Sequence, residues 1–116
     1  MGANRQIHVG RLIQRVLSNL FLERGKAIYG DVMVSISEVK MNSDLSIANV
    51  YLSIYNVVNE EDILSRINEE NKDLRRRMAQ TIKSEVRIIP ELRFFIDETI
   101  SNMEKTEELF KKLKDK

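Results

Sequence analysis

His8 is the only histidine among 116 residues and the chain has no cysteine, so the usual proton shuttles, thiol nucleophiles and sulfur-rich metal sites have no members here. Carboxylates gather at Glu60, Glu61 and Asp62. They follow Asn59 directly, and negative charge behind a capping residue is what the positive end of a helix dipole favours. They therefore read as a helix start, and no metal or other cofactor is expected. Gly25-Lys26-Ala27-Ile28-Tyr29-Gly30 holds two glycines and a lysine, but the lysine follows the first glycine and Asp31, not Ser or Thr, follows the second. That order does not make a phosphate-binding nucleotide loop. No catalytic set emerges, and an enzyme is not expected. The remaining chemistry is electrostatic: guanidinium and ammonium groups that can meet phosphate.

The net charge is only +1, yet the charges are segregated. Residues 51–71 carry one basic and five acidic groups, whereas residues 72–93 carry seven basic and three acidic groups. A local patch acts within about a Debye length, near 8 Å in physiological salt, so it matters more than the total. Arg75, Arg76 and Arg77 are consecutive on a helical stretch, and steps of about 100° prevent all three from facing one ligand. Arg75 and Arg76, with Arg11, Arg15, Lys26, Lys40, Lys83, Arg87 and Arg93, form the candidate RNA-binding set. Asn49 and Tyr51, outward on a strand, join them as groups that could contact unpaired bases.

The elements that must position these side chains follow from periodicity. From Asn4 to Arg24, Val9, Leu12, Ile13, Val16, Leu17, Leu20 and Phe21 recur at three and four, which predicts an amphipathic helix. Its opposite face carries His8, Arg11, Arg15 and Ser18. Gly25 is expected to end it, with Gly25–Gly30 as a connector. Val32, Val34 and Ile36 then alternate, and a phase slip to Val39 and Met41 predicts a strand bulged near Ser37. A turn at Asn42-Ser43-Asp44 leads to a second strand with Ala48, Val50, Leu52 and Ile54 inward, and Asn49, Tyr51, Ser53 and Tyr55 outward. Asn59 caps one helix over about 60–70 and a second follows over 72–84, with an interhelical kink near Asn71, where a polar residue interrupts the apolar stripe. Pro90 excludes helix, and Leu92, Phe94 and Ile96 alternate as a third strand. Beyond Asp97, Ile100, Met103, Phe110 and Leu113 mark a narrow helical stripe. The expected division is a domain at 1–98 and a C-terminal helical tail at 99–116.

No apolar run reaches the roughly 20 residues of a membrane span, and the start lacks a signal-type apolar core. Absence of cysteine fits a reducing compartment. A cytoplasmic monomer without membrane attachment is expected.

Two motifs, Ser43-Asp44-Leu45-Ser46-x-Ala48-x-Val50-Tyr51 and Pro90-Glu91-Leu92-x-Phe94-x-x-Asp97, resemble the ribosome-binding factor A family. The resemblance runs from about residue 5 to residue 98, includes Arg11, Arg15, Val16 and the Leu74-Arg75 step, and leaves the tail uncovered. It implies an α+β, type II KH-like domain of α-β-β-α-α-β order with a three-stranded sheet. It also implies assembly instead of catalysis: binding to free or precursor 30S subunits, contact with 16S rRNA, help in late maturation and 5′-end processing, and support of growth in the cold. The chain departs from the family at Arg24-Gly25-Lys26, where an Asp-Pro-Arg is usual, and at Glu70-Asn71-Lys72, where the kink has Ala-x-Gly. It also lacks the Gly-x-x-Gly clamp of single-strand-binding KH domains. The contrasting expectation is a protein-interaction module in which the Ile100–Leu113 stripe pairs with a partner helix and RNA contacts are incidental.

Overall fold

The computed structural model describes residues 2–55 and 57–98; the expected tail at 99–116 lies outside the described residues. The first apolar stripe folds as helix α1 (Gly2–Tyr29). It passes through Gly25, so the expected connector at Gly25–Gly30 is corrected. Packing explains the extension. The Tyr29 ring folds back one turn over Gly25, where a Cβ would lie 2.6 Å from Tyr29 Cζ, and Tyr29 meets Phe21 edge-on with centroids 6.1 Å apart. Burying an aromatic ring outweighs the roughly 1 kcal/mol that glycine costs inside a helix. The turn out of the helix is made at Gly30, with φ of 79°.

Strands β1 (Met33–Met41) and β2 (Ile47–Tyr55) form an antiparallel hairpin. Its register shifts between Ile36 and Glu38, which places the bulge at Ser37 as the phase slip predicts. The connecting turn is held by its own side chains. Asn42 Oδ1 accepts from the Ile47 N–H at 2.9 Å, and Asp44 Oδ1 accepts from the Ser46 N–H at 3.1 Å and the Ser46 hydroxyl at 2.6 Å. Leu45 between them is left-handed, φ 63°. The Asp44-Leu45-Ser46 motif is thus a turn that sets strand register.

Helix α2 (Glu60–Glu69) begins as expected, with Asn59 Oδ1 accepting from the Glu61 N–H at 3.1 Å. Helix α3 (Asn71–Ile82) follows after a break at Glu70, immediately before the polar residue that signals it. Strand β3 (Glu91–Ile96) pairs parallel to β2, giving the order β1-β2-β3. The three helices share one face of the mixed sheet. Ile13 and Leu17 of α1, Ile67 of α2, Leu74 and Met78 of α3, and Val50, Leu52 and Leu92 of the sheet are buried between the layers. Ala48 and Ile54 are buried with them, as alternation requires. Ser53 is a correction: placed on the outward phase, where strand alternation sets Tyr51 and Tyr55 two residues to either side, this short side chain is only 4% exposed. No helix among the described residues is long and apolar enough to cross a membrane.

Candidate nucleic-acid interface

The structure distributes the candidate cations over two opposite faces. On the helical side, α1 and α3 lie next to each other in opposite directions. Arg24, late in α1, has its Nε 3.8 Å from Asp73 Oδ2 at the start of α3. At the other end, Arg5 and Val9 of α1 line a cavity of about 350 Å³ with Val86, Arg87 and Ile88, which follow α3, and with Asp44 and Leu45 of the hairpin turn. The buried stripe of α1 faces the sheet, so Arg11 and Arg15 point away from it and are exposed. Lys83 and Arg87 are exposed beyond the end of α3. Among the described residues none of these four cations has an acidic partner within ion-pair distance. Lys26, farther along α1, stands 3.8 Å from Asp31 in a fully exposed pair.

The arginine triplet is divided among local tasks. Arg75 donates through Nε to the Pro90 carbonyl at 3.0 Å and through Nη2 to the Ile89 carbonyl at 2.8 Å. One turn earlier on the same face, the Asn71 side-chain amide donates to the Leu92 carbonyl at 2.9 Å. The kink residue and the first arginine therefore pin the segment that enters β3. Arg76 Nη2 and Arg77 Nε donate to Asp73 at 2.5 and 2.8 Å. These two hydrogen bonds hold the Asp73 carboxyl at about 2, below its ordinary 3.8. Asp73 is the acid that organises this helix, and its i, i+3 and i, i+4 spacing to the arginines was its only sequence signal.

The sheet's outer face gathers the rest. Lys40 of β1, Asn49 of β2 and Arg93 of β3 occupy one cross-strand row, and Glu38, Tyr51 and Phe95 the next. Tyr51 and Phe95 stack with centroids 5.6 Å apart and planes 28° apart. Lys40 Nζ stands 5.7 Å over the Tyr51 ring, within cation–π range. Lys40 and Arg93 also approach Glu38 and Glu91, at 4.0 and 3.2 Å, in exposed pairs worth about 0–1 kcal/mol. Phe95 is absent from the sequence-derived set. Its position between inward Phe94 and Ile96 was the available clue. No group of three His, Asp or Glu side chains among the described residues is arranged to hold a metal ion.

Known proteins resemble this chain over most of its length. Residues 5–110 match the family described as ribosome-binding factor A, so the match extends past residue 98 into the tail that the motif resemblance left uncovered. A relative of that name from Cytophaga hutchinsonii is 34% identical over 113 residues, covering 97% of this chain and 85% of the relative. The crystal structure of ribosome-binding factor A from Thermus thermophilus superposes with a TM-score of 0.67 at 19% identity, covering 78% of this chain and 94% of that one. A homology model of the Thermus thermophilus factor, fitted into a cryo-electron-microscopy map of its complex with 30S, superposes at 0.62 with 21% identity, covering 78% and 92%. The shared α+β framework and a family match spanning nearly the whole sequence place this chain in the ribosome-binding factor A family.

Proposed function

We propose that the protein is a non-catalytic assembly factor that binds free or precursor 30S subunits as a monomer in the cytoplasm and assists late maturation and 5′-end processing of 16S rRNA. The reading rests on family membership, on the 30S complex into which the Thermus relative was fitted, and on the helical-face cations. The observation that carries it is the exposure of Arg11 and Arg15 on α1 and of Lys83 and Arg87 beyond the end of α3, with no carboxylate within ion-pair distance among the described residues. Such groups exchange bound counterions for phosphate oxygens, so affinity falls as salt rises. The α-β-β-α-α-β order and the mixed sheet support a type II KH-like domain over residues 1–98. With no Gly-x-x-Gly clamp, recognition runs through the shape and backbone of folded rRNA.

Cosedimentation through sucrose gradients tests this reading. Wild type should travel with free small subunits, not with large subunits, and dissociate as salt increases. Arg11→Gln combined with Arg15→Gln should weaken binding and lower the log–log salt slope by about 2, roughly 1 per lost phosphate contact. Equal binding of both proteins at every salt concentration would remove α1 from the interface, and no binding of wild type would refute the reading. Arg75 is unsuitable for this test, because its substitution also unpins the segment entering β3.

A further inference from the structure

We infer that the outer face of the sheet is a second RNA contact, at which an unpaired base of a single strand stacks on Phe95. The inference rests on the RNA-binding reading above but concerns the side of the molecule away from Arg11 and Arg15. Lys40, Tyr51 and Phe95 form a continuous pile across the sheet: the cation stands over the tyrosine ring, and the tyrosine stacks on the phenylalanine. Among the described residues β3 is an edge strand, with no strand paired to its outer side beyond Phe95. Phe95 is 41% exposed although it has no polar atom to favour water. A base has a π-face that can extend this pile, and stacking of this kind tolerates any base.

The neighbouring row supplies the remaining chemistry. Asn49 lies between Lys40 and Arg93 in register. With neighbouring strands about 4.8 Å apart, the two cations flank the platform at roughly 10 Å. Their partners Glu38 and Glu91 are held only in exposed pairs, which phosphate oxygens can replace. Asn49 can donate to and accept from a base edge. The face thus presents cations for the backbone, an aromatic surface for the base and one amide between them, a composition that fits single-stranded RNA better than an apolar peptide.

The test uses the full chain and a single-stranded RNA about ten nucleotides long carrying 2-aminopurine, a length within the usual range for one binding face. Wild type should quench the 2-aminopurine emission and bind this RNA more tightly than a polyphosphate of equal charge. Phe95→Leu, which keeps an apolar side chain but removes the ring, should abolish the quenching and weaken binding by roughly 5- to 150-fold. Tyr51→Leu should show the same direction, with circular dichroism confirming that both variants fold. Equal RNA affinity in wild type and Phe95→Leu overturns the inference, as does a loss of thermal stability without a loss of RNA affinity, which would make the patch a seat for the chain's own residues. Small-subunit cosedimentation separates the two claims: retained, salt-sensitive binding by Phe95→Leu leaves the helical-face reading standing even when the sheet-face inference fails.

Discussion

Asp73 shows how one carboxylate can change the meaning of a basic run. Arg76 and Arg77 donate to it, and Arg24 approaches it from α1, so a stretch that looks like a phosphate site is partly neutralised by its own helix. Its depressed folded-state value fixes the direction of a pH effect. The stabilisation it provides is present above the ordinary carboxylate value of 3.8 and disappears as pH falls toward about 2. Thermal denaturation followed from roughly pH 5 to pH 2 should therefore show Asp73→Asn losing less stability than wild type across that interval; parallel curves would disprove the coupling. Asn71 and Arg75 teach a related lesson. Both hold backbone carbonyls near β3, a role visible only once the segment they hold is in place.

At the scale of elements, the close approach of α1 to β1 sets the spacing of the two layers. A Cβ on Gly10 would lie 2.8 Å from the Val39 carbonyl oxygen. That neighbour is backbone, so it can move away only by displacing the strand just past the Ser37 bulge. Gly10→Ala gains about 1 kcal/mol of helix propensity but meets an overpacking cost of about 1–3 kcal/mol. The expected result is a net destabilisation in urea unfolding, although alanine favours helix elsewhere. An unchanged or higher unfolding midpoint would show that the layers are not held at this point. Gly25 illustrates the limit of reading punctuation from residue type: a glycine on a helical stripe signals either an end or a close contact, and the side chain that covers it decides which. Here Tyr29 does so.

For the whole molecule, the helical face and the sheet face make separate proposals about RNA, and the tail supplies the contrasting protein-interaction reading. Removing residues 99–116 should leave small-subunit cosedimentation intact if residues 2–98 carry the contacts; its loss would shift function to the Ile100–Leu113 stripe. Local pattern was enough for much of the architecture. Periods of two and 3.6 marked the inward residues of both hairpin strands and the buried stripe of α1, the phase slip located the bulge, and Asn59 with its acidic followers located the start of α2. These features depend on residues a few positions apart, whose geometry the backbone repeats. Which cations share a surface depended instead on packing. Lys40, Asn49 and Arg93 become neighbours through one antiparallel and one parallel pairing, and Phe95 meets Tyr51 the same way. Arg75 turns to carbonyls, while Arg11 and Arg15 remain available. Such partnerships join residues far apart in the chain, so their charge and exposure are settled only when the helical layer closes over the sheet.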